Sequence, residues 1–403
     1  MLHRFDRARP YFLAGGLAAA LLLPINGVAA KGYHVVYTFQ NSQDGDEPHA
    51  GLIKGGKGIY YGTTFSGGSG GFNGNGTVFK LARDGSKTEL YSFTGGTDGN
   101  YPNPIVMDGS GNLFGTAQQG GVNEGCNGGG CGVVFEVTPD GVESVLYTFT
   151  GEADGGNPVG GLLGDGKGGF YGTAAGGGAD REGTVFHISA KGAESLVHAF
   201  AGGSDGASPE AELVSDTSGN MYSTTKYGGT GCAGPGCGTI FKVTPGGKET
   251  VLYAFTGGAD GANPISGLIA DKSGNLYGTA EFGGQSAGCG GAGCGTVFKL
   301  AANGKMSVLY TFSGGNDGGQ PVVSLIADEA GNLYGTTLFW GAEGYGVVFR
   351  LAPNGKEKVL HSFTNGDDGA YPWGALLETG KNKFLSTASG GGATDFGTVF
   401  AVK

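Results

Sequence analysis

No stretch of this 403-residue chain sustains apolar residues at the i, i+3, i+4 spacing of an amphipathic helix, and its 90 glycines would break one. Beyond residue 30 no apolar run is long enough to anchor the chain in a membrane. Charge is sparse and mostly of one sign, 24 Lys and Arg against 35 Asp and Glu, a net −11. With no basic stripe, nucleic acid is excluded as a partner, and an anionic polymer is repelled at long range. There is no Ser/His/Asp triad signature, no phosphate-binding loop and no metal-ligand spacing in the sequence. No cofactor and no metal is therefore expected, with one exception raised by the acidic turns described below.

What is present begins with a leader. "MLHRFDRARP" carries Arg4, Arg7 and Arg9, "YFLAGGLAAALLLP" is an apolar segment, and "INGVAA" puts Val28 and Ala30 at small-residue positions before a cut. Residues 1–30 read as a secretory signal peptide, too short for a membrane span. No Cys follows the cut and no twin Arg precedes the apolar segment. The leader has a net charge of +2, so the rest of the chain carries −13. Export to the periplasm or the medium is expected, with no membrane insertion after the leader is removed, and a monomer.

The remainder spells one phrase seven times. "FTGGADGANP" at 255–264 has counterparts whose Phe residues are at 39, 93, 149, 200, 312 and 363, spaced 51 to 57 residues apart. Five residues after each Phe comes an Asp-Gly, and four residues after the Asp a Pro. A period near fifty is the mark of a propeller or solenoid. Gly and Pro together make about a quarter of the chain, which without a period would argue for disorder and with one argues for many tight turns. The fifth unit divides into four strand-like segments: "PISGLIAD", "LYGTAEF", "GTVFKLA" and "MSVLYTF". The last unit has three such segments, while "YHVVYTF" at 33–39 is a spare fourth at the other end. Donating it to the last unit closes a ring and removes exposed strand edges. The expected fold is therefore all-β: a seven-bladed β-propeller of four-stranded antiparallel blades, one domain over 31–403, its N-terminal strand completing the last blade. An open solenoid needs no such donated strand.

The units "GNLYGTAEFGG", "GTVFKLAANGK" and "LYTFSGGNDGGQP" resemble the GloVer tandem repeat of the "choice-of-anchor" proteins of bacterial surfaces. The resemblance covers 33–403. It implies export and a repeat architecture; it implies no activity and no site residue. Some members carry a C-terminal sorting tail, whereas here the last residues read "GTVFAVK".

Six Cys fall at one place in three units, as Cys126/Cys131, Cys232/Cys237 and Cys289/Cys294. In an exported chain these read as disulfides clamping Gly-rich loops; paired Cys can also bind zinc, but no His accompanies them at that spacing. The repeated Asp44, Asp98, Asp154, Asp205, Asp260, Asp317 and Asp368 sit in Gly-flanked turns. Each can accept hydrogen bonds from its own turn, and Pro then fixes φ ahead of the innermost strand. The rival reading is a ring of carboxylates that binds a cation. In a propeller, the links between blades and the loops joining second to third strands share one face, so binding is sought where units differ there. The residue after the Pro varies most: His49, Asn103, Val159, Glu210, Ile265, Val322 and Trp373. The two Trp, Trp340 and Trp373, fall on this face in adjacent units, with Tyr345, Tyr371, Glu47 and His49 near them. Aromatic faces beside carboxylates suit sugar, the rings stacking on its apolar face and the acids taking its hydroxyls. These six residues are the candidate ligand site of a non-catalytic glycan- or protein-binding propeller. The alternative is a polysaccharide lyase or hydrolase that uses His49 with Glu47 or Glu210 at the channel mouth.

Overall fold

The computed structural model describes residues 32–71, 74–121, 126–284 and 288–403, so the leader read at 1–30 lies outside the described residues. Among these the chain forms seven antiparallel sheets arranged as a seven-bladed β-propeller. Blade 5 shows the pattern: Ile269–Ala270, Leu276–Ala280, Thr296–Leu300 and Met306–Thr311, hydrogen-bonded in that order. Blade 7 pairs Leu377–Gly380, Lys383–Ala388 and Thr398–Val402, and its fourth, outer strand is Tyr33–Thr38. The ring is thus closed by the donated N-terminal strand, with Tyr33 opposite Val402 and Thr38 opposite Thr398. Blade 2 carries one extra short strand, Asn100–Pro102, against Leu113–Gln119.

Each recurrent residue has a recurrent contact. The seven Phe of the phrase are at most 1% exposed. Each sits edge-to-face on a Phe in the third strand of the following blade: Phe255 on Phe298 at 5.2 Å and 64°, and Phe363 on Phe400 at 5.2 Å and 71°. Phe39 on Phe79, at 5.5 Å, carries the same joint across the seam from blade 7 to blade 1. Such pairs contribute about 0.5–1.5 kcal/mol beyond their burial. The Gly of "YGT" leaves room for that ring, since a Cβ on Gly278 would lie 2.7 Å from Phe298 Cζ. The Thr of the same triplet is buried and ties blade to blade. Thr279 donates to the Pro321 carbonyl at 3.2 Å, Thr336 to Pro372 at 3.0 Å, and Thr387 to Ala50 at 2.9 Å across the seam. The core is accordingly a ring of inter-blade clusters rather than one central mass.

The Asp residues join two parts of one turn. Asp260 accepts the Tyr253 hydroxyl at 2.9 Å, the Thr256 amide at 2.8 Å and the Thr256 hydroxyl at 2.5 Å. Asp98, Asp154 and Asp317 repeat this set with Tyr91, Tyr147 and Tyr310. At Asp205 and Asp368 a His, His198 or His361, replaces the Tyr. Asp44 keeps its Tyr, Tyr37, and adds the Lys87 ammonium at 2.9 Å. Lys87 Nζ also lies 5.5 Å from the Phe39 and Phe79 ring centroids, a charge tucked into the ring seam.

A candidate binding mouth on the loop face

The inter-blade links and the second-to-third-strand loops lie side by side. Backbone bridges join Asp46 to Ser66, Ala207 to Tyr227, Ala262 to Phe282, Gly319 to Phe339 and Ala370 to Gly390. The three disulfides, Cys126–Cys131, Cys232–Cys237 and Cys289–Cys294, each close a short ring within the loops of blades 2, 4 and 5, and Gly151, Gly257 and Gly314 of the following links lie against their sulfurs. A Cβ on Gly257 would lie 2.6 Å from Cys237 Sγ, so the second residue of "TGG" there must be Gly. A shallow groove of about 560 Å³ opens beside Cys232 and Cys237, lined in part by Asn263, Phe282 and Ala262.

All seven residues that precede the repeated Pro adopt positive φ, from 52° at Asn263 to 60° at Tyr101. A residue before Pro is sterically kept out of the right-handed α region, and left-handed backbone is unusual for non-glycine. Two candidate site residues, Glu47 (φ 54°) and Tyr371 (φ 55°), belong to this set. Because every blade shares the conformation, it belongs to the turn and marks neither of them out.

Trp340 is different. It occupies the place of Gly67, Gly120, Gly177, Gly228, Gly283 and Gly391, whose carbonyls accept the amide of the Gly before the third strand, as Trp340 does from Gly346 at 2.8 Å. Those six glycines have φ between 67° and 82°, and Trp340 has 61°. Six blades fill this left-handed position with the one residue that has no Cβ; blade 6 fills it with the largest side chain. Gly319 makes the space, since a Cβ there would lie 2.9 Å from Trp340 Cε3.

Trp340 is half-buried and begins an aromatic arc. Its ring lies 5.9 Å from Phe339, which lies 5.5 Å from Tyr371, which lies 5.7 Å from Tyr345. Tyr371, Phe339 and Trp373 pack on Val322, Val323 and Leu338. Trp373 stacks on His49 at 5.1 Å, His49 meets Phe65 at 4.7 Å, and Phe65 stacks on Tyr101 at 4.4 Å and 7°. The arc therefore runs through blades 6, 7 and 1 to the link that enters blade 2. Five of the six candidates, Trp340, Trp373, Tyr345, Tyr371 and His49, fall within it. Glu47 is exposed and meets the Ser66 hydroxyl at 3.4 Å rather than an aromatic ring. Burial between Phe65 and Trp373 pushes the His49 imidazole down to about 4, so it is neutral near pH 7.

Other parts of the mouth carry polar groups. Glu210 takes Lys226 at 3.2 Å. Burial pushes the neighbouring Glu281 carboxyl up to about 7, against the opposing pull of Lys226. In blade 2, Asn103 receives Gln118 at 3.0 Å and donates to the Pro158 carbonyl at 2.7 Å. Beneath, the Ser324 hydroxyl of blade 6 donates to Glu212 of blade 4 at 2.9 Å, a hydrogen bond that passes over Gly267 of blade 5. Phe65, Gln118, Lys226 and Glu281 were not among the residues singled out in the sequence. They share one signal there: each stands two residues after the repeated Thr, a place where the units differ as much as they do after the Pro.

Among the described residues no helix is long and apolar enough to cross a membrane. A family model described as the Gloeobacter/Verrucomicrobia repeat matches residues 122–292 and 287–403, well over half of the chain. No curated protein matches the sequence. Among solved structures, a gluconolactonase from Xanthomonas campestris is 16% identical over 75% of this chain and 84% of its own, with a TM-score of 0.43. The PQQ-bound aldose sugar dehydrogenase of Streptomyces coelicolor is 15% identical over 75% of this chain and 94% of its own, with a TM-score of 0.46. Likeness at this level transfers no activity.

Proposed function

The chain belongs to the Gloeobacter/Verrucomicrobia repeat family, and from that premise we propose that it is an exported, non-catalytic binding propeller whose loop face takes an extracellular glycan. The conformation of Trp340 carries the reading. Backbone strain of this kind costs of order 1–2 kcal/mol for a residue with a Cβ. Six blades avoid it with Gly, so the blade that accepts it retains a side chain for a purpose other than folding. That side chain heads an arc of half-buried rings, Tyr371, Trp373 and Phe65 among them, which can stack on sugar faces. Glu210, Lys226 and Gln118 on the other side of the mouth can take hydroxyls. Three disulfides and a leader with secretory features fit an oxidising compartment outside the cytoplasm.

One observation favours a second reading, a polysaccharide-active enzyme. Burial raises the Glu281 carboxyl to about 7, which suits a general acid, and the Glu210 carboxyl group stands near it as a second acidic side chain. A panel of immobilised glycans, run beside a reducing-sugar and unsaturated-product assay on the same polysaccharides, separates the two. Saturable binding without new chain ends supports the binding propeller. New ends that vanish in Glu281→Gln support the enzyme. A protein that binds nothing on the panel and cleaves nothing refutes the glycan reading in both forms.

A further inference from the structure

Four of the seven turns repeat one full set of contacts around the Asp, and the turn at Asp205 departs from it twice while gaining a third group. At five turns a Ser or Thr hydroxyl four residues before the Asp holds its Oδ1, as Thr94, Thr150 and Thr256 do. In the link between blades 3 and 4 that residue is Ala201, which has no hydroxyl to offer Asp205. The Tyr seven residues before the Asp is replaced there by His198, whose Nε2 lies 3.3 Å from Asp205 Oδ2. The Ala201 amide holds the same Oδ2 at 2.7 Å, which orients the carboxylate and leaves Oδ1 without its usual partner. Blade 4 brings the third group. Glu249, the first residue of the outer strand Glu249–Ala254, places Oε1 where it is buried and has no hydrogen-bond partner. The three side chains offer ligand atoms that all lie within 4.8 Å of one another.

The other turns act as internal controls. At Asp98, Asp154 and Asp317 the next blade also supplies a Glu, but the third group is a Tyr hydroxyl. At Asp368 the His is present as His361, but Thr364 is retained and the next blade supplies Tyr33. Imidazole, carboxylate and carboxylate meet at Asp205 alone among the described residues. We propose that His198, Asp205 and Glu249 form a zinc site that clasps blade 3 to blade 4 at the outer edge of the ring. Zinc bonds of about 2.0–2.1 Å in a tetrahedron set ligand atoms about 3.3 Å apart, the His198–Asp205 separation. A mixed nitrogen and oxygen set with the fourth position left to water is a zinc arrangement, whereas calcium prefers six or more oxygens. The equivalent Glu oxygen is also unpartnered at Asp98, Asp154 and Asp317, so the imidazole of His198 and the missing hydroxyl at Ala201 are what set this turn apart.

The test is calorimetric titration of Zn²⁺ into chelator-treated protein, with thermal unfolding recorded alongside. His198→Tyr restores the residue found at five other turns, so it removes the nitrogen ligand without disturbing the fold. Glu249→Gln tests the ligand from the neighbouring blade. The expected result is one zinc per chain, weakened at least tenfold in each variant and unchanged in His361→Tyr. Absence of stoichiometric zinc uptake overturns the proposal, as does wild-type affinity in either His198→Tyr or Glu249→Gln. Equal loss in His361→Tyr overturns it too.

Discussion

Replacing Asp260 by Ala removes three hydrogen bonds from one turn, and the structure sets the size of the effect. The Tyr253 hydroxyl, the Thr256 amide and the Thr256 hydroxyl all converge on this carboxylate. Fully buried bonds to a charged group contribute about 1.5–3 kcal/mol each, but Asp260 is only half-buried, and water can reach the groups it leaves. Something nearer 0.5–1 kcal/mol per bond, about 2 kcal/mol in all, is the expected loss. For a domain of about 370 residues that is a fall of about 2–4 °C in the melting temperature. Asp205 offers a comparison within the same molecule, since it accepts from the Ala201 amide and faces His198 but has no hydroxyl bond. In metal-free protein Asp205→Ala should therefore cost about half as much as Asp260→Ala. A double-mutant cycle of Asp260→Ala with Tyr253→Phe should return a coupling of about 1 kcal/mol. Equal losses at Asp205 and Asp260, or a coupling near zero, would refute the claim that these contacts hold the turn.

Deleting residues 33–38 removes the outer strand of blade 7 and exposes the edge of Thr398–Val402, so the product should lose its cooperative melt; an unchanged melting temperature contradicts ring closure. Protein purified from an oxidising compartment should show no free thiol when denatured without reductant, and replacing any one Cys pair by Ala should cost at most about 2 kcal/mol for so short a loop. Glu143 and Glu357 are each raised to about 7, first by burial and then by the facing Asp98 and Asp317. Their folded proton affinity exceeds the unfolded one, so their contribution is complete below about pH 4.5 and lost as pH rises through 7. The melting temperature of Glu143→Gln plus Glu357→Gln should accordingly fall less than that of the wild type between pH 5 and pH 8, and parallel curves would contradict the assignment.

The propeller was legible because the same letters recur at nearly fixed spacing in seven units. Phe255, Asp260 and Pro264 recur with their spacing intact, so period and turn chemistry could be read together. The Cys pairs were legible for the same reason. The Thr of "YGT" looked like a strand residue and no more, because the carbonyl it meets, Pro321 for Thr279, lies 42 residues away in the next blade. The left-handed backbone before each Pro ran against the steric preference of that position, and only packing of link against loop reveals it. For the mouth, the sequence placed Trp340, Trp373, Tyr345 and Tyr371 on one face. It did not show that His49 is walled in by Phe65 and Trp373, or that Glu47 points away from the arc. The meaning of Trp340 was available in principle, by aligning "LFWGAEGYG" under "TFSGG" and "EFGGQ", but only the shared carbonyl-to-amide bond fixes that alignment. His198 and Glu249 are far apart in sequence and belong to different blades, which hides their convergence from any spacing rule.

The central claim is that Trp340 is kept for binding at a cost to folding, and Trp340→Gly tests it most directly. The variant restores the residue that six blades use at this position. Its melting temperature should hold while its affinity, in native gels cast with the soluble polysaccharides that retard the wild type, falls. The account predicts stability changed by no more than about 1 kcal/mol, because relief of left-handed strain offsets the lost contacts of the half-buried ring. It predicts polysaccharide affinity lowered by about 1–3 kcal/mol, the usual loss for one aromatic anchor. A variant that binds as tightly as wild type, or one that loses more stability than this together with binding, would contradict it.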